Sequence, residues 1–249
     1  MPRLLFILFI YSLSNHAQPV SWESASAGEI AQAYRKACHW FTHTSSYAFK
    51  LKYSSFNSPY TDVPLETSEG FYKKTANRYI SEGIGIRTIQ TQDLKIIIDT
   101  TEKTITLMDP GRLNPDIASV ADLEVLLANT RALKKCKQGK GIRYRMDFNP
   151  NAQFEAYEFL LNERGILERL TYYYSEQAES SEDWRSGENN AVRVKPRMEI
   201  LFHSHEVPAR IKESEFTTTF VVSFDKDKAH LNPFYNHFRL LDYRISKKK

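Results

Sequence analysis

Glycine and proline are scarce in this 249-residue chain, at 9 and 10 copies, and cysteine is scarcer, at 2. Collagen-like and low-complexity architectures are excluded by that composition, and so is a disulfide-dense scaffold. No C-x-x-C pair is present, which removes thioredoxin-type redox chemistry and paired-cysteine metal sites. Charge of one sign is also lacking. Lys and Arg number 34 against 30 Asp and Glu, and a net charge of +4 is too mild to argue for a nucleic-acid partner. No G-x-S-x-G elbow, P-loop or dinucleotide glycine fingerprint occurs, and nothing pairs two carboxylates in a cleft. The expectation is a non-enzymatic protein with no cofactor. What the chain does hold is 41% apolar residues and 13% aromatic ones, chiefly 14 Tyr and 15 Phe. That balance favours aromatic-rich strands around a sizeable core.

The one greasy run is Leu4 to Leu13, ten apolar or near-apolar residues behind Arg3. A bilayer span needs about 20, so the run reads as the apolar region of a secretory leader. Cleavage is expected after Ala17, with Ala27 as the alternative site. The expected organisation is a signal peptide over 1–17 and a single domain over 18–249, exported to the periplasm of a Gram-negative envelope, with no transmembrane span in the mature chain. In an oxidising compartment Cys38 and Cys136 are either one bridge or two buried thiols, and the spacing does not choose between them.

Ser26 with Glu29 three residues on is a capping box, and Ile30, Ala33, Tyr34, Ala37, Cys38 and Phe41 repeat at helical spacing. A first helix is expected at 27–43. At Tyr47 the period changes. Tyr47, Phe49, Leu51 and Tyr53 alternate with Ala48, Lys50 and Lys52, as in a strand with one polar face. From Gly70 to Met108, short β-rich runs at 71–75, 78–82, 84–90, 94–99 and 104–108 are separated by breaks of hairpin length, so neighbours are antiparallel. A second helix is expected over 117–138, with Val120, Leu123, Leu126, Leu127 and Leu133 as its stripe, Lys134, Lys135 and Lys137 in its last turn and Gly139 at its end. Strands resume at 142–148, 154–161 and 166–175. The stretch 176–190 is polar loop. Further strands are expected at 192–205, 209–224 and 238–245, before a Lys247-Lys248-Lys249 tail. The fold class is α+β: a large curved antiparallel sheet, a half-barrel, with two or more helices covering its concave face.

This layout resembles the periplasmic lipoprotein carriers, the LolA/LolB-like half-barrels. The resemblance lies in Ala33–Tyr53, in Gly70-Phe71-Tyr72-Lys73-Lys74 with Arg78-Tyr79, and in Ile96-Ile97-Ile98-Asp99, Lys103-Thr104-Ile105 and Met108-Asp109-Pro110. It covers about residues 27 to 140 by layout more than by identity. Thr100 stands where the family has Gly, Ile105 or its neighbour replaces a Trp, and Met108 replaces a Tyr. The resemblance implies an apolar concave face that holds acyl chains, with a lipid or lipidated protein as partner. Candidate lining residues are Phe49, Leu51, Tyr53, Ile96, Ile98, Ile105 and Leu107, extended by Met198, Ile200 and Phe202. The alternative is a filled interior in a protein that serves as an interaction module of a cell-envelope assembly, with envelope proteins as partners. His39 and His43 sit four apart on the first helix, and His203 and His205 two apart on a strand, which would put the latter pair on one face. Trp40 stands where the zinc-protease motif has its Glu, Glu206 beside the second pair points away, and no metal is expected.

Overall fold

The computed structural model describes residues 21–111, 120–150, 152–175, 177–178 and 193–245. The expected leader over 1–17, nearly all of the 176–190 loop and the lysine tail lie outside those residues.

The chain opens with β1 (Glu23–Ser24) and α1 (Ala27–His43). A meander follows: β2 (Ser46–Phe56), β3 (Glu66–Thr75), β4 (Arg78–Gly83), β5 (Ile86–Gln90), β6 (Lys95–Asp99) and β7 (Thr104–Met108). After α2 (Val120–Ala128) comes a second meander, β8 (Thr130–Gln138), β9 (Gly141–Phe148), β10 (Phe154–Leu161) and β11 (Leu167–Tyr174). The two-residue strands β12 (Gln177–Ala178) and β13 (Arg193–Val194) pair with each other, and β14 (Arg197–Glu206) follows. The C-terminal stretch holds a hairpin of β15 (Val222–Asp225) and β16 (Lys228–Leu231), then β17 (Arg239–Asp242).

Thirteen of these strands form one open sheet, in the order β1-β8-β9-β10-β11-β14-β2-β3-β4-β5-β6-β7-β17. The fold class is α+β, a large unclosed antiparallel half-barrel. β14 is its seam, antiparallel to β11 on one side and β2 on the other. The short β1 and the parallel β17 cap the two edges, where longer unpaired strands would template aggregation.

α1 forms where Ser26 accepts a bond from the Glu29 amide at 3.1 Å. Its path is dictated by the sheet order. It begins beside β8 and ends at β2, five strand spacings away. Seventeen residues span about 25 Å and five spacings about 24 Å, so α1 lies across the strands. Its contacts follow that line: Glu29 pairs with Lys135 of β8 at 2.8 Å, Tyr34 meets Phe159 of β10 edge-on, and Phe41 reaches Phe49 of β2.

Two sequence expectations need correction. The second helix stops at Ala128, and Thr130–Gln138 is strand β8. There Lys134 and Lys135 point to opposite faces, one bonded to Asp147 at 2.7 Å and the other to Glu29. Gly139, at φ 58°, turns a β-hairpin and does not end a helix. Residues 209–224 are not one strand. Residues 209–221 run irregularly through a 3-10 turn at Glu213–Phe216, and only Val222 onward is strand, in β15. Of the two states left open for the cysteines, Cys38 and Cys136 are the free buried thiols, with no bridge between them. Cys38 packs in the core under α1, while Cys136 sits opposite Arg143 on the other side of the sheet. Burial pushes the Cys38 thiol up to about 11.

Candidate functional site

Register decides which side chains share a face. Phe49 lies opposite Tyr72, Tyr72 opposite Ser81, Ser81 opposite Thr88, Thr88 opposite Ile97, and Ile97 opposite Thr106. Directly paired residues point the same way. The face that carries Phe49 therefore continues through Ile97, and Ile96 and Ile98 point away from it. The ten candidate lining residues do not form one lining. Phe49, Leu51, Tyr53, Met198, Ile200 and Phe202 are on the α1 face. Ile96, Ile98, Ile105 and Leu107 are on the opposite, outer face.

The α1 face is densely packed around its first group. Tyr47, Phe49, Tyr72 and Tyr79 form a near-parallel ring stack with neighbouring centroids 5.4–6.0 Å apart. Ile30 and Phe41 from α1, Leu123 from α2, and Met146, Phe159 and Leu170 from the second meander complete a core at or below 2% exposure. Lys74 is buried here too. Its Nζ donates to the Phe41 carbonyl at 3.2 Å, in the last turn of α1. A cation there complements the helix dipole, and desolvation pushes the Lys74 pKa down.

The histidine pairs separate into structural roles. His39 and His43 stack ring on ring at 3.6 Å. His203 and His205 do not share a face, contrary to expectation. A register shift with Ser204 at φ 53° lies between them. His203 pairs with Lys50 on the outer face, while His205 turns in against Trp40 and Phe49. Burial pushes the His205 pKa down. Among the described residues, no group of three potential ligands could hold a metal.

On the outer face, Ile80, Ile89, Ile96, Ile98, Ile105 and Leu107 are covered by Phe216, Val221 and Val222 of the C-terminal stretch. Polar clamps hold this cover down. Glu215 pairs with Lys73, and Glu213 receives both Arg78 guanidinium nitrogens while that guanidinium lies 5.0 Å over the Phe216 ring.

The cover is incomplete at one end. Between the β4–β5 hairpin and the 3-10 turn Pro233–Tyr235 lies an open groove of about 560 Å³. Ile84 and Ile98 line one side, and Phe234, Tyr235 and Phe238 the other, while Ile86, paired with Gly83, turns its side chain to the α1 face. Glu69, Glu82, Arg87, Lys103 and His237 form a polar rim, with Arg87 and Glu82 paired at 3.5 Å. The groove's apolar walls reach solvent: Ile84 is 57% exposed and Phe234 74%.

Ile84 is the odd residue here. It occupies the left-handed region at φ 47°, followed by Gly85 at φ 74°, the two centres of a tight hairpin turn. Such turns favour Asn-Gly, and a β-branched side chain at positive φ is strained. An exposed isoleucine held at a strained position on a groove wall is not explained by folding, and strain of this kind gathers at ligand sites. Sequence reasoning singled out Ile98 but missed Ile84, Phe234 and Phe238. The Ile84-Gly85 pair inside a hairpin was the available signal.

No protein-family model matches the chain, and no curated protein matches it. Among solved structures, it is similar to a LolA superfamily protein from Nitrosomonas europaea at 7% identity and a TM-score of 0.29, covering 80% of this chain and 100% of that one. A DUF1329 family protein from Desulfovibrio piger matches at 7% identity and a TM-score of 0.30, covering 76% and 97%. A domain assigned to outer membrane lipoprotein sorting in Vibrio parahaemolyticus matches at 8% identity and a TM-score of 0.28, covering 78% and 98%. Similarity at this level carries no functional inference, and the fold rests on the strand order and register above.

Proposed function

We propose that the chain is a non-enzymatic, exported periplasmic protein that binds an acyl chain, free or as the lipid of a lipidated protein, in the outer-face groove. The observation that carries this reading is the exposed apolar wall of Ile84 and Phe234 beside Ile98. A groove of about 560 Å³ lies within the usual size of ligand sites, roughly 300–1,000 Å³. Each methylene moved from water into it contributes about 0.8 kcal/mol, so a long chain is held without a covalent bond. The polar rim suits a ligand with a charged or zwitterionic end.

The packing under α1 favours a second reading, an interaction module of an envelope assembly whose sheet interior is filled. Native mass spectrometry of the protein purified without detergent separates the two. A mass excess that disappears on denaturation, matched by an extracted acyl species and lost in Ile84→Asp, supports the binding reading. A bare mass that stays bare after incubation with lauric, palmitic and oleic acid and with a lipidated peptide overturns it.

A further inference from the structure

The outer face differs between its two halves. From β3 to β7 it is covered by the C-terminal stretch. From β8 to β2 it is polar, and Lys50, Lys52 and Leu201 on it are exposed. The carboxylates in the middle of this half are already engaged, and exposed Glu206 stands at the end of β14 opposite Ala48. Glu158, 2% exposed, accepts from Arg143 and Arg145, Asp147 accepts from Lys134 and Arg145, and Glu199 pairs with Arg197 at 3.4 Å. Lys50, Lys52 and Arg169 have no ion pair among the described residues, and Arg169 reaches only the Gln138 amide oxygen, at 3.4 Å. The surplus charge on this half is positive.

The register arranges that charge in a line. Reading across the strands, Arg143 lies opposite Leu160, Leu160 opposite Arg169, Arg169 opposite Leu201, Leu201 opposite Lys52, and Lys52 opposite Glu69. Cations and leucines alternate at the strand spacing, so successive cations stand about 10 Å apart. Glu69 is at the rim of the groove. The basic row therefore runs along one face straight to the groove mouth.

We propose that this half of the outer face docks the protein on an anionic lipid bilayer, with the groove mouth brought against the surface that holds the acyl chains. The proposal rests on the acyl-binding reading of the groove. Charge complementarity selects the partner: unpaired Lys50, Lys52 and Arg169 meet lipid phosphates, and the leucines between them meet the interfacial region. A diffuse row of cations without a pocket suits a fluid surface of repeated phosphates better than one shaped protein epitope.

The test is co-sedimentation of the protein, purified as the cell processes it, with vesicles of phosphatidylcholine alone or with 30% phosphatidylglycerol. Tighter binding to the anionic vesicles, released at high salt, is expected. Replacing Lys52 and Arg169 together by Gln should weaken it about 25-fold, at roughly fivefold per cation. Exposed Lys50→Gln is the second, milder variant, expected to lose about fivefold. Arg35→Gln, an exposed position on α1 across the sheet, should change binding less than about twofold. Equal binding to both vesicle types, or no loss in K52Q/R169Q and K50Q, would overturn the proposal. Uptake of a fluorescent fatty acid, measured without vesicles, reports the groove separately: uptake intact with no vesicle preference overturns docking alone, and no uptake overturns the reading beneath it.

Discussion

Phe49 and Ile98 lie on opposite faces of one sheet, each almost fully buried in a different hydrophobic cluster. The sheet thus has a core on both sides, one sealed by α1 and α2, the other by the C-terminal stretch. The two cores make separable predictions. Phe49→Ala empties space inside the ring stack and should cost about 3–5 kcal/mol in chemical denaturation, while acyl binding per folded molecule stays unchanged. Reduced affinity at full folding in that variant would put the ligand under α1 instead.

Ile84 links strain to function. Ile84→Asn restores the residue that the left-handed turn favours and removes an apolar wall of the groove. The variant should be more stable by about 1 kcal/mol and bind acyl chains more weakly. A stability gain with unchanged affinity would detach the strained turn from the ligand.

Acid should loosen the molecule at identifiable carboxylates. Burial alone would raise the Asp147 pKa, but bonds from Lys134 and Arg145 outweigh it and hold the group below its ordinary value. The bond from Lys73 does the same for Glu215. A depressed folded pKa contributes stability that is complete above about pH 4 and is lost as pH falls through the lower folded value. The melting temperature should therefore drop below about pH 4, and less steeply in Asp147→Asn. An equal slope in that variant would show that the pair does not contribute.

The N-terminal segment is built into the fold. β1 pairs with β8, the Arg143 guanidinium lies 5.3 Å over Trp22, and Ser26 caps α1. Cleavage after Ala27 would remove all three. N-terminal sequencing of the exported protein should find a start before Trp22, in keeping with cleavage after Ala17. Ser26→Ala should cost about 1 kcal/mol. A mature start at Gly28 with undiminished stability would contradict this.

Free cysteines are equally checkable. Cys38 and Cys136 are separated by the sheet, so reducing agent should leave the melting temperature unchanged, and thiol titration after unfolding should find both. A drop in melting temperature on reduction would mean that they are bridged.

Much of the architecture was legible in the chain because it is written locally. Ser26 and Glu29 mark the start of α1, and the breaks at Ala76-Asn77 and Thr100–Lys103 mark hairpins that form where expected. What failed depends on long-range pairing. The alternation at Phe49 and that at Ile98 look alike, and only a register carried across three intervening strands reveals that they face apart. Leu133 continued a helical stripe by coincidence, although the chain reverses to strand after Asn129. The bulge at Ser204 inverted His205 without any glycine to announce it. Residues 209–224 have the composition of a strand, yet Phe216 and Val221 are spent on sealing the outer core. The groove escaped detection because its two walls, Ile84 and Phe234 with Phe238, are about 150 residues apart in sequence.

The central claim is that the acyl site is the outer-face groove. Photo-crosslinking with a diazirine-bearing palmitate, followed by peptide mapping, tests it directly. Label on the peptides holding Ile84–Ile98 and Phe234–Phe238 is the predicted result. Label on Phe49–Tyr53 and Met198–Phe202, or no specific label at saturating probe, would contradict it.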